Sequence, residues 1–257
     1  MRHHMRHRRA TMIAVAAVLV PFAAGCSTRN APAVGGTVTV LAAASLQEAF
    51  TTLGQQFEVA NPGTTVQFSF GASSALAAQI NSGAPADVFA SASPTNMEQV
   101  MDAGGASASA NFVKNVMEIA VPPSNPANIT GVVDLAKSTV KVALCQPQVP
   151  CGAVAAQVFS NAGITVTPVT LEADVKSTLS KVELNEVDAG VVYVTDVRSA
   201  GDQVMGIAIP DDINASTDYP IAALTKAPNA AGAKAFVDFV LSPAGQSVLT
   251  AAGFEQP

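Results

Sequence analysis

Two serines occupy positions where a chain can do chemistry without a charged side chain. Ser45 follows the strand-like run Thr37–Leu41 and precedes Leu46, Ala49, Phe50 and Leu53, which recur at three- and four-residue steps, a helical period. Ser73 repeats the arrangement: Val66 to Phe70 alternates like a strand, Gly71 and Ala72 break it, and Leu76, Ala77 and Ile80 resume a helical period. A serine at such a junction either caps the helix, accepting from the unpaired N–H groups of its first turn, or turns its hydroxyl outward. In the second case the N–H groups and the positive end of the helix dipole face open space and form an anion seat. Two such turns in the first third of one domain look like two halves of one pocket.

Three further residues fall at comparable places. Tyr193, one of two tyrosines in the chain, ends the buried-type run AGVVYV, where a phenol can either donate into a cleft or pack in the core. Cys151 and Val175 each open a predicted helix, so each has a backbone N–H without an intrahelical partner, as at any helix start. Cys145 and Cys151, six apart in CQPQVPC, either form a disulfide or remain two buried thiols; a bridge there would staple a loop.

The residue inventory excludes other chemistries. All three histidines (His3, His4, His7) and four arginines lie in the first nine residues. A chain cleaved after them keeps nine of its thirteen lysines and arginines against all nineteen acids, a net charge of −10. Without histidine there is no Ser-His-acid triad, no Cys-His pair and no histidine metal site, and no lysine adjoins either serine to activate it as a hydrolase would require. The acidic balance argues against nucleic acid. Asp211-Asp212 and Glu186/Asp188 read as solvated surface, and neither metal-ligand spacing nor a phosphate loop with its lysine occurs.

Positioning these residues requires an export signal followed by an α/β body. Residues 1–25 combine a basic start with the apolar run Met12–Ala24, which is too short to span a bilayer, and read as a secretory signal. The segment ends in AAGC, and a small-residue run stopping at Cys26 resembles a bacterial lipobox, with Ala23 where leucine or valine is more usual. Cys26 would then be lipidated, and residues 26–36, rich in Ser, Pro, Ala and Gly, would be a tether. Beyond it strands alternate with helices: helix from Leu46 to Val59, a short strand at Asp87–Phe89, a helix from Ser93, a loop at Ala103–Ala110 and a strand at Asn115–Pro122. A short helix at Val132–Leu135, a strand at Val140–Leu144 and helices at Cys151–Ala162 and Asp174–Leu184 follow. The last strands are Ala189–Val194, Met205–Ile209 and Tyr219–Leu224, before closing helices at Ala231–Leu241 and Pro243–Ala252. The pattern predicts two α/β lobes joined by two crossing segments, residues 37–116 with 220–257 as lobe 1 and 117–219 as lobe 2, with a cleft between them. Ligands in such sheets collect beyond the carboxyl ends of the strands, where both serine turns lie.

The strings AAASL (42–46), FGASSAL (70–76), GAPADVFASA (83–92), ADV (173–175) and DAGVVYVTD (188–196), in this order and spacing, resemble the molybdate-binding proteins of bacterial ABC uptake systems over nearly the whole mature chain. The resemblance implies a type II periplasmic-binding-protein fold. It also implies a tetrahedral oxyanion, molybdate or tungstate, held by neutral donors: hydroxyl and N–H groups of Ser45 and Ser73, the N–H groups of Cys151 and Val175, and the Tyr193 phenol. Cys151 replaces the family's usual small residue after the proline, a departure that leaves a backbone contact available. The ligand apart, no cofactor is expected. The protein would act as a monomer, lipid-anchored outside the cell membrane, handing its ligand to an ABC permease. The alternative is the same fold binding sulfate, phosphate or a small organic anion.

Overall fold

The computed structural model describes Met1 and residues 34–257. The expected signal segment, Cys26 and the tether up to residue 33 lie outside the described residues.

Strand β1 (Gly36–Ala43) is laid down by the β-branched run Thr37–Val40 and becomes fully buried toward its carboxyl end. It pairs in parallel with β2 (Thr64–Gly71) and with β3 (Val88–Ala90). Helix α1 (Gln47–Ala60) returns between β1 and β2, burying Ala49, Phe50, Leu53 and Phe57. It stops at Asn61-Pro62-Gly63, where Gly63 takes a positive φ. Helices α2 (Ser73–Asn81) and α3 (Pro94–Asp102) follow β2 and β3.

The chain then enters β4 (Ala110–Val121), twelve residues long, whose first half pairs antiparallel with β9 (Ser216–Ala223). Its second half pairs with β7 (Ala189–Tyr193) and β8 (Met205–Ala208), both antiparallel. β5 (Val142–Cys145) lies parallel to β7 and to β6 (Thr170–Glu172). Among the described residues the strands join in the order β2-β1-β3-β9-β4-β7-β5-β6, with β8 attached to β4. Parallel ladders occupy the two ends, and the antiparallel ladders through β4 and β9 join them.

Helices α4 (Pro150–Asn161), α5 (Val175–Glu183) and α6 (Val194–Ala200) cover the β5–β7 end. α7 (Ala230–Leu241) and α8 (Pro243–Ala252) return to the β1 end, where Ala233, Phe236, Val240 and Leu249 are buried with α1. Apolar side chains collect accordingly. One cluster fills the space around β1, α1, α7 and α8, and a smaller one lies around α2, α3 and Phe89. A third runs from Met117 to Ile209 and takes in Ala44 and Ala72, the residues just past β1 and β2. The tips of those two turns therefore pack against the opposite group of elements.

Three features depart from the sequence expectation. The strand predicted at Asn115–Pro122 begins at Ala110, because pairing with β9 extends it back through Asn111, Phe112, Val113 and Lys114. β6 has three residues, with Leu171 exposed, and no alternation that reveals a strand. α6 follows Tyr193 directly, within the run predicted to remain strand to Val194.

The first core centres on Phe50, whose ring meets Phe68, Phe112 and Phe236 at centroid separations of 6.1, 5.9 and 6.0 Å. Phe50→Ala is expected to lower unfolding free energy by about 3–5 kcal/mol, read from the urea midpoint, since the ring is fully enclosed and its aromatic neighbours come from three other elements.

Candidate functional site

Among the described residues, four helices start with an ordinary side-chain cap. Ser93, Asp174, Asn229 and Ser242 accept from the N–H groups of Asn96, Ser177, Gly232 and Gly245, respectively. Ser45 and Ser73 do not cap. Ser45 lies in a 3-10 turn, Ala44–Leu46, that leads into α1, and its Oγ is 2.8 Å from the Tyr219 phenol oxygen. Ser73 is the first residue of α2, and its Oγ accepts from the Ala92 N–H at 2.8 Å. The hydroxyl proton of Ser73 is therefore free of its own helix, and the first N–H groups of α2 receive no side-chain cap.

Both turns open on one cavity, about 20 Å³ measured as space for the centre of a water-sized sphere. Ala43, Ala44 and Ser45 line it from β1, and Gly71, Ala72, Ser73 and Ala92 from the next two turns. Pro150, Cys151, Asp174, Val175 and Tyr193 line it from the other group of elements. The five expected site residues, Ser45, Ser73, Cys151, Val175 and Tyr193, thus share one wall-to-wall space. Its lining among the described residues contains no lysine or arginine.

Each contribution has a local cause. Pro150 opens α4 and has no N–H, so the N–H of Cys151 is the first the helix presents. Cys145, at the end of β5, is bonded to Cys151, which ties the start of α4 to the strand. Gly152 lets that start come close, because a Cβ there would collide with the Gln146 carbonyl. Val175 is the first residue of α5; the Asp174 carboxylate caps the N–H of Ser177 at 2.8 Å, leaving that of Val175 ahead of the ladder. Tyr193 is 1% exposed, and its phenol oxygen is buried without a hydrogen-bond partner. Burial pushes its pKa well above the ordinary phenol value, so it enters the cavity region as a neutral O–H. A buried polar atom left unsatisfied is rare.

Sequence reasoning did not reach the polar groups behind this lining. Asn115 and Tyr219 stand on the two strands, β4 and β9, that join the halves of the sheet, and both are buried. The available signal was a single amide opening the largely apolar run NVMEIAVP and the second of two tyrosines. A second unforeseen group is Asp196 on α6, fully buried, whose Oδ2 accepts from the Tyr193 N–H at 3.1 Å. Lys176 on α5 lies 3.3 Å from its Oδ1 and 2.9 Å from Glu48 on α1, so one ammonium bridges elements from both sides of the cavity. Burial alone would lower the pKa of Lys176, but the carboxylates of Asp196 and Glu48 outweigh it and raise the value. For Asp196 burial is the larger effect and lifts it to about 6, against the attraction of Lys176.

Known proteins resemble this chain over most of its length. The family model for bacterial extracellular solute-binding proteins matches residues 38–255. A relative from Mycobacterium tuberculosis named molybdate-binding protein ModA is 40% identical over 95% of this chain and 96% of its own length. The Escherichia coli protein of the same name is 32% identical over 88% and 91%. Among solved structures, the Azotobacter vinelandii periplasmic molybdate-binding protein superposes with a TM-score of 0.76 at 20% identity, covering 86% of this chain and 99% of that one. The sulfate-binding protein SubI of M. tuberculosis gives 0.77 at 17%, covering 86% and 87%. The fold is that of the periplasmic binding proteins.

Asp196 gives the site a pH signature. A native pKa near 6 exceeds the ordinary aspartate value, so the folded chain holds the proton more tightly, and stability falls as pH rises from about 4 to about 6. Subtracting the urea-unfolding free energy of Asp196→Asn from that of wild type should leave a difference that declines across this window and is flat above it. A difference that climbs instead would mean that Lys176 depresses the carboxyl.

With the family model spanning most of the sequence and relatives matched nearly end to end, the chain belongs to the bacterial extracellular solute-binding proteins, in the ABC-transporter branch of the ModA relatives, and is a binding protein, not an enzyme.

Proposed function

We propose that the cavity binds a tetrahedral oxyanion dianion, molybdate or tungstate, with no cofactor, and that the chain delivers it to an ABC permease. The observation that carries this reading is the buried Tyr193 phenol, unpartnered beside two serines whose oxygens are held from behind. O–H donors and exposed helix-start N–H groups suit an anion carrying no proton. Charge-assisted bonds of this kind are about twice as strong as neutral ones. The alanines and Gly71 leave room for the guest to approach backbone. The small space disfavours sugar-sized or other organic anions.

Sulfate is the second reading, favoured by the structural likeness to SubI. It has the same charge and shape with shorter bonds, so it would fail to reach every donor of a site sized for molybdate, at about 1–3 kcal/mol for each buried bond unmade. The division into lobe 1 (37–116 with 220–257) and lobe 2 (117–219) is supported by the separate apolar clusters. In this reading β4 and β9 act as the hinge, and closure brings Ala44 and Ala72 onto lobe 2. The protein works as a monomer, tethered outside the cell membrane through a lipid on Cys26.

Titration calorimetry should show saturable binding of molybdate and tungstate, undiminished by excess sulfate. Ser45→Ala and Ser73→Ala should each weaken it by about 1–3 kcal/mol with folding unchanged. Heat from sulfate alone would reassign the ligand, and wild-type affinity in both variants would make the serines structural. In cells, Cys26→Ala should move the protein from the membrane fraction to the soluble one; persistence in the membrane would remove the anchor from the reading.

A further inference from the structure

We propose that Asn115 and Tyr219 form a one-way hydrogen-bond relay that leaves the Ser45 hydroxyl only one direction in which to donate, into the cavity. This rests on the oxyanion reading above and makes Tyr219 a positioning residue for it.

The direction follows from which atoms can accept. The Asn115 side-chain oxygen accepts from the Val116 N–H at 3.1 Å, which orients the amide. Its nitrogen then faces the Thr195 hydroxyl at 2.8 Å and the Tyr219 phenol oxygen at 3.5 Å. An amide nitrogen has two protons and no usable lone pair, so it donates to both. Tyr219 is fully buried, and among the described residues its phenol oxygen has Asn115 and Ser45 as partners. Asn115 cannot accept the Tyr219 proton, and the Tyr193 phenol nearby makes no hydrogen bond with it, so Ser45 Oγ, 2.8 Å away, is its acceptor. A serine hydroxyl has one proton. With its oxygen already accepting from Tyr219, Ser45 is left with that proton to give to a guest.

The arrangement at Ser73 follows the same logic by a shorter route. Ala92 donates a backbone N–H to Ser73 Oγ, and a backbone N–H cannot accept in return. Both serines are thereby fixed as donors, one by a peptide group and the other through two side chains on the strands that join the halves of the sheet. A guest with no proton is satisfied by such a site, whereas a protonated oxyanion would set its own O–H against donors.

The test is a double-mutant cycle read by molybdate calorimetry. Tyr219→Phe keeps the ring and removes the oxygen that orients Ser45, and should weaken molybdate binding about tenfold. In a Ser45→Ala background the same change should alter affinity by less than about twofold, because its effect passes through Ser45. Asn115→Asp supplies a second arm: its carboxylate accepts the Tyr219 proton and reverses the relay, and its loss should likewise shrink once Ser45 is alanine. A purely structural role or plain charge repulsion would persist undiminished in the Ser45→Ala background, and that result overturns the relay. Unchanged binding in Tyr219→Phe overturns it equally. Wild-type protein that binds neither molybdate, tungstate nor sulfate overturns the reading of the cavity itself, and the relay with it.

Discussion

A buried polar group must find a partner, and this structure is organised around the places where that rule is not met from within. Helices α3, α5, α7 and α8 begin on capping side chains, as elementary chemistry favours. The starts of α2 and α4, and the turn before α1, have none, and all open on the same cavity. The Tyr193 phenol is buried and unsatisfied beside them. Donors left over at one point in space, with no cation in the lining, are what the proposed anion seat of peptide dipoles and hydroxyls requires.

The rest of the fold serves this convergence. Parallel strands on each side deliver their carboxyl ends to the same level, so the turns after β1, β2, β5 and β7 meet there. The disulfide and Gly152 hold the start of α4 close to β5, and the Asp174 cap holds that of α5. Small residues at 43, 44, 71, 72 and 92 keep the cavity open to backbone. Substituting a bulky side chain at any of them would fill the seat before it disturbed the fold.

Much of this was legible in the sequence, because the signals were local. Both serine turns follow strand runs whose periodicity changes at the serine, and Tyr193 ends a run of buried-type residues. The strings AAASL, FGASSAL and VVY have fixed places in a known family, which brought Cys151 and Val175 into the set. What was not legible depends on distant pairing. Phe112 and Val113 are strand-favouring residues beyond the predicted bounds, and pairing with β9 makes them strand, while β6 exists through three residues paired to β5. Asn115 lies 104 residues from Tyr219 and 80 from Thr195, so their meeting is a property of the closed sheet. Asp196 lies just past the strand predicted at Ala189–Val194, where nothing local marks it, yet it is fully buried and held by Lys176 and the Tyr193 N–H.

The net charge of the chain sets a further constraint on how the proposed seat can work. At −6 for the full chain, or −10 without its four N-terminal arginines, it repels a dianion at long range, although at physiological ionic strength that field decays over about 8 Å. Capture therefore gains nothing from steering, and affinity has to come from slow release. In the proposed binding mode, donors fixed on both groups of elements would supply that, since water competes poorly for bonds made inside a low-dielectric site. Lys176, held between Glu48 and Asp196, puts its charge into joining the two sides and not into the cavity. A cation placed in the seat would attract any anion; dipoles of fixed reach discriminate by the positions of the guest's oxygens.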